Sequence, residues 1–255
     1  MKYSFFALLL FIIPALNSCR KGDYCKKELE IEKSKKILID ASKDGGTWWF
    51  PQGPGANNPN LNHQGKKLAD YLRSLGYQVD ELTQGSRVSW SMLQNYSKVI
   101  RAGAIYSYTS DELKAYDSLL KRPSSLLLMQ DHLTYFSNDM LSEHLNIRFA
   151  GVGGTTIARF NTHAITQGVS SIPFTAGSAI INSDKTNMTI LGYLPDNEFI
   201  DMNNNKILDA GDIAGAPVMG ILHHPSSKIF FIGDVNGLET VSQPFTTNLF
   251  KWLLN

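Results

Sequence analysis

The sequence predicts an α/β fold: a mainly parallel sheet with helices on both faces, extended by antiparallel strands toward the C-terminus. Three observations carry this. The run Ser124 to His132 (SSLLLMQDH) shows no polar alternation before Gln130, and a strand apolar on both faces has to be covered on both, as in the middle of a parallel sheet. Upstream of it, strand and helix patterns alternate, the order expected of βαβ units. From Thr155 onward the segments become shorter and more alternating, as antiparallel strands do.

Taken in order, Lys36 to Asp40 (KILID) reads as the first strand, ending on an acid. A glycine-rich aromatic loop follows from Asp44 through Trp48, Trp49 and Phe50 to His63. Exposing two tryptophans is costly, so they either cap the core or form a stacking platform; with His63 they are the candidate ligand-binding residues. Leu68, Tyr71, Leu72 and Leu75 recur at helical spacing, and Gly76 supplies the C′ residue. Tyr77 to Asp80 and Lys98 to Gly103 read as the next strands. Thr109-Ser110-Asp111-Glu112 has the form of a capping box, and Pro123 stops the helix it opens. After the central strand, Asn138 to Leu145 reads as a short helix, Ile147 to Ala150 as a strand, and Gly151-Val152-Gly153-Gly154 as a turn. The antiparallel extension is expected at Thr155 to Phe160, Ser178 to Asn182, Thr189 to Tyr193 and Val218 to Leu222, with Ile229 to Ile232 returning as a parallel strand. Ser242 and Pro244 suit the Ncap and N1 positions of a last helix carrying Phe245, Leu249, Trp252 and Leu253.

The N-terminus carries an address. Lys2 precedes nine apolar residues, Phe5 to Ile13, well short of the ~20 that span a bilayer, so residues 1–18 read as a signal peptide. The ending Leu16-Asn17-Ser18-Cys19 resembles a bacterial lipoprotein signal, which implies that Cys19 becomes the lipid-bearing first residue; an ordinary secretory signal is the plainer alternative. A triacylated Cys19 exceeds the two-signal minimum for stable anchoring. Residues 20–34 mix charges with few apolar side chains and read as a tether, leaving roughly 220 residues, 35–255, for one domain. Without residues 1–18 the 24 basic residues become 23 against 23 acidic. A neutral chain argues against nucleic acid, and against anionic headgroups, as partners. With Cys19 lipidated, Cys25 has no disulfide partner.

The succession of strand Lys98 to Gly103, helix Ser110 to Lys121, strand Leu126 to Met129, Thr162-His163-Ala164-Ile165-Thr166-Gln167-Gly168 and Lys228-Ile229-Phe230-Phe231-Ile232-Gly233-Asp234 is similar to the class I glutamine amidotransferase-like superfamily. Within it the chain resembles the non-amidotransferase branches that include the trehalose-utilisation-type proteins. The resemblance implies a three-layer, flavodoxin-like sheet over residues 35–255. It does not bring the catalytic residues: where amidotransferases carry Gly-x-Cys-x-Gly, this chain reads Met129-Gln130-Asp131-His132, and the late histidines stand in His223-His224-Pro225 rather than His-x-Glu. No Gly-x-Ser-x-Gly elbow replaces the thiol.

Two constellations remain. Asp40, Asp131, His132 and Asp234 each end a predicted parallel strand, the rim where open α/β sheets bind ligands; they serve either as base, orienter or metal ligand, or simply as caps for loop amides. His163 and the His223-His224 pair read as structural. Asp201, Asn203, Asn205, Ile207 (through its carbonyl), Asp209 and Asp212 fall at positions 1, 3, 5, 7, 9 and 12 of a loop, the spacing that wraps calcium. It resembles the dockerin loops, with Lys206 where glycine is preferred; a polar hairpin tip is the bland alternative. The expectation is a lipid-anchored envelope protein, calcium-stabilised, that binds a small molecule, a glycan or an envelope protein. Its rival is a hydrolase or carbohydrate-processing enzyme using Asp131 and His132.

Overall fold

A computed structural model describes residues 35–44, 65–131, 140–183, 187–239, 241 and 243–255. The parallel half runs β1 (Lys36–Asp40), α1 (Lys66–Ser74), β2 (Gln78–Leu82), α2 (Trp90–Leu93), β3 (Lys98–Arg101), α3 (Ser110–Leu120) and β4 (Ser124–Met129). There follow α4 (Met140–His144), β5 (Phe149–Gly153), β6 (Thr156–Ile157), β7 (Arg159–Phe160), β8 (Ile172–Pro173) and β9 (Gly177–Ile180). The chain ends with β10 (Met188–Tyr193), β11 (Phe199–Asp201), β12 (Ile213–Ala214), β13 (Pro217–His223), β14 (Ser227–Ile232) and α5 (Phe245–Leu254).

The main sheet has the order β2-β1-β3-β4-β14-β13-β10-β7. Its first five strands are parallel, in the flavodoxin-like succession, and the last three are antiparallel. Every residue of β4 is buried, because its alternate side chains enter two different cores. Leu127 and Met129 join Leu68 and Leu72 of α1 and Phe245 and Leu249 of α5, whereas Leu126 and Leu128 join Leu113, Tyr116 and Leu119 of α3. This is the three-layer α/β architecture, and the apolar run is its middle strand. Among the described residues no helix is long and apolar enough to cross a membrane.

Local signals behave as expected at two helix ends. Thr109 and Glu112 form the capping box of α3, and Gly76, at φ 86°, follows the C-cap of α1 in the left-handed region that glycine tolerates. Elsewhere the structure departs from expectation. Gly151-Val152-Gly153 is not a turn: it belongs to β5, and a side chain at Gly153 would strike the carbonyl of Phe199 on β11, so glycine here permits close strand approach. The antiparallel segments do not all extend the main sheet; β12-β11-β5-β9 form a second sheet and β6-β8 a third. Pro244 is the N-cap residue of α5 rather than its first helical residue; Ser242 lies outside the described residues.

Candidate functional site

The carboxyl ends of the parallel strands bring Asp131 and Asp234 together and set Asp40 apart. Strands β4 and β14 are neighbours in register, Met129 opposite Ile232, and the Gln130 amide donates to the Ile232 carbonyl at 2.9 Å. Asp131 follows directly; its carbonyl accepts from the Ser178 hydroxyl at 2.8 Å, which also reaches the Gly151 carbonyl at 3.0 Å. Gly233 lies against the Ser178 carbonyl, where no Cβ fits. Asp234 is buried, and its carboxyl accepts from the amides of Thr175 at 2.5 Å and Asn236 at 2.9 Å.

Burial pushes the Asp234 carboxyl up to about 8, and the charges of Asp131 and Glu239 add to the rise, against the two amides that favour the ionised form. The folded-state value lies above the ordinary 3.8 of the unfolded chain. The stability this group contributes is therefore full below about pH 4 and is lost as pH rises toward 8, by at most ~1.4 kcal/mol per unit. Asp234→Asn is expected to flatten stability between about pH 5 and pH 8, while losing ~1 kcal/mol at the acid end because an amide nitrogen cannot accept from a backbone N–H. Denaturant melts across that range check it; an unchanged slope places the titration elsewhere.

Asp40 is occupied by its own network. It is 1% exposed and accepts from the hydroxyls of Tyr108 (2.9 Å) and Tyr116 (2.5 Å) and from the Ser42 amide (3.0 Å). The two rings meet edge to face, and burial, then the Asp40 charge, drives the Tyr116 hydroxyl well above its usual value. Arg101, fully buried, stands opposite Asp40 in register. Beside them Glu112 binds the Lys43 ammonium at 2.9 Å and the Val88 amide at 3.0 Å besides capping its own helix. Sequence reasoning did not anticipate this cluster. Tyr116 falls within a helix and Arg101 within a strand, and no local spacing marks either as a partner of Asp40. His132, Trp48, Trp49, His63 and Cys19 lie outside the described residues.

The loop Asp201 to Asp212 closes a hairpin, β11 pairing with β12 as Ile200 opposite Ile213. In the chain it lies between β10 and β13, which pair with each other, and it tops a smaller hairpin inserted between them. Asp201 accepts from the amides of Asn203 (3.0 Å), Asn204 (2.5 Å) and Lys206 (2.6 Å). Burial works against the Asp201 charge, but these amides outweigh it and hold the carboxyl below its ordinary value. Asp212 accepts from the amides of Met202 (2.8 Å) and Asp209 (2.9 Å). The side-chain amides of Asn203 and Asn205 both donate to Asp209. Lys206 has φ 65°, the left-handed turn that position requires. Among the described residues no group of three or more His, Cys, Asp or Glu is arranged to hold a metal ion; the carboxylates of Asp201 and Asp212 are engaged by loop amides and that of Asp209 by the Asn203 and Asn205 side chains.

No family profile and no curated protein matches the chain. Solved structures do. The N-terminal domain of mmIFT52 matches with TM-score 0.60 at 14% identity, over 86% of this chain and 96% of that one. A thua-like protein from Bacteroides uniformis matches with TM-score 0.53 at 14% identity, over 86% and 91%. A cold-adapted β-galactosidase from Rahnella sp. R3 matches with TM-score 0.51 at 17% identity, over 86% of this chain but 31% of the enzyme. At such identities the likeness is one of fold alone: this is an α/β domain with a flavodoxin-like parallel sheet extended by antiparallel strands, and its structural neighbours include the thua-like proteins.

Proposed function

We propose that the protein is a lipid-anchored component of the bacterial cell envelope whose amidotransferase-like domain holds a ligand or partner rather than transforming it. The observation that carries this is the commitment of the rim carboxylates: Asp40 holds two buried tyrosines and Asp234 two backbone amides, so their lone pairs maintain the fold. The turn after β4 offers Gln130 and Asp131 where the superfamily places a thiol. Trp48, Trp49 and His63 are the proposed contacts for a small molecule or glycan, and an envelope protein is the other class of partner. The rival, a hydrolase or carbohydrate-processing enzyme using Asp131 and His132, draws on the raised Asp234 carboxyl beside Asp131, an acid kept protonated near neutrality.

Calcium is the proposed structural ion of the β11–β12 loop. The Lys206 turn and the spacing of Asp201, Asn203, Asn205, Ile207, Asp209 and Asp212 follow the ligand order of a twelve-residue calcium loop. A cation there takes the place of the Asn203 and Asn205 N–H donors now facing Asp209, the two amide groups turning their oxygens inward.

The anchor is tested by fractionation. Cys19→Ala is expected to leave salt-washed membranes for the soluble fraction, because one surface contact without the acyl chains is reversible; retention of the variant after the wash overturns the lipoprotein reading. On an affinity column carrying a bound glycan, Trp48→Ala is expected to lose retention, and unchanged retention returns the tryptophans to the core.

A further inference from the structure

The chain carries a formal net charge of only +1, yet its charges are not spread evenly. Asp131 stands at the carboxyl rim and Asp201, Asp209 and Asp212 on the β11–β12 hairpin, while Asp40 faces Arg101 and Asp234 is kept protonated near neutrality. The opposite edge is basic. Across β1, β3, β4 and β14 the residues Ile37, Lys98, Ser125 and Lys228 stand side by side in register, so two lysines flank one serine at the amino ends of the central strands. Burial, and then the charge of Lys228, pull the Lys98 ammonium below its ordinary value. Lys228 donates to the Trp252 carbonyl at 2.9 Å and lies over its ring, and Lys251 is exposed one residue before.

Four adjoining hollows surround the last turn of α5, sharing Lys228, Lys251, Leu254 or Asn255 as walls. Among the described residues lining them there is no Asp or Glu. Their volumes, about 240 to 360 Å³, lie close to the lower limit of small-ligand pockets, roughly 300 Å³, so they describe an uneven surface better than one binding cavity. Apolar and aromatic groups are interleaved with the lysines: Tyr77, Trp252 and Leu75, the last 49% exposed. Aromatic rings with a polar tip beside cationic side chains suit the headgroup level of a bilayer.

This edge is also where the chain arrives from its N-terminus. Lys35 precedes β1 and its carbonyl accepts from the Gln78 amide at 2.9 Å, on the amino side of the sheet. The stretch 20–36 leading to it holds seven basic residues against four acidic. We propose that the face formed by the amino ends of β1, β3, β4 and β14 with the last turn of α5 docks onto an anionic phospholipid bilayer. The proposal rests on the lipid-anchor reading for its orientation: an acyl chain on Cys19 draws this face, and not the acidic rim, toward the membrane. The rim and its hairpin are then held outward.

The test uses the mature chain with Cys19→Ser, which carries no lipid, so that docking is read apart from anchoring. Co-sedimentation is measured with phosphatidylcholine vesicles and with vesicles in which about one-third of the lipid is phosphatidylglycerol. Binding to the anionic vesicles is expected to exceed binding to the neutral ones at least tenfold at low salt and to vanish near 0.5 M, where screening leaves only a few ångströms of range. Lys251→Ala and Lys228→Gln are each expected to weaken it roughly fivefold. Lys114→Ala, which removes an exposed lysine of α3 on the opposite face of the sheet from α5, is expected to change nothing. Melting curves establish that each variant is folded, and Lys251, with an exposed side chain, serves if Lys228→Gln is not. Equal binding to both vesicles, or equal loss for Lys114→Ala and Lys251→Ala, overturns the docking surface. The mass of the N-terminal peptide from native membranes reports acylation of Cys19 independently, so failure of the anchor and failure of the surface are distinguishable.

Discussion

Asp40→Ala is expected to destabilise the fold by about 3 to 5 kcal/mol, a drop in melting temperature of roughly 10 °C for a domain of this size. Truncation strands two buried tyrosine hydroxyls and the Ser42 amide at once, each a donor with no water to turn to. It also takes the facing carboxylate from a neighbourhood that contains buried Arg101. Tyr116→Phe, which removes a single bond, is expected to lose only ~1 to 2 kcal/mol. Thermal and urea melts distinguish the two variants. If Asp40→Ala melts like wild type, the cluster is not what holds α3 to the sheet.

Calcium is expected to raise the melting temperature by about 5 to 10 °C, since binding to the folded form alone adds ~2.7 kcal/mol at a hundredfold excess over Kd. Asp201→Ala and Asp212→Ala are each expected to abolish the calcium-dependent part. They also lower the calcium-free baseline, because the two carboxylates together hold five backbone amides of the loop. Lys206→Gly is expected to stabilise both states by about 1 kcal/mol, as φ 65° is natural to glycine and strained for lysine. Identical melting of the wild type in calcium and in chelator would end the calcium assignment whatever the variants did.

What the sequence disclosed followed from strong local signals. The apolar run of β4 announced its own burial, because no other placement covers both faces. The Thr109 and Glu112 box and Gly76 at φ 86° marked helix ends through chemistry confined to four or five residues. Partners distant in the chain were not legible. That Asp40 meets Tyr116, 76 residues away, or that Gly153 lies on the Phe199 carbonyl, depends on packing that no window of sequence contains. The three glycines of residues 151–154 therefore read as a turn when two of them serve close strand approach. Net charge is silent in the same way: a sum near zero does not say which end of a strand each charge occupies.

The placement of β14 has a consequence for the order in which the molecule is made. β14 sits in the middle of the sheet, beside β4, yet Ser227 pairs with Ser124 across more than a hundred residues of chain. A nascent chain that has emerged as far as β4 can pair β2, β1, β3 and β4, but it leaves along β4 an unprotected edge, apolar from Leu126 to Met129, of the kind that joins other chains. That edge waits for the second and third sheets to be synthesised before its neighbour exists. Closing so long a loop is slow, and the central seam of the sheet is the last to be sewn.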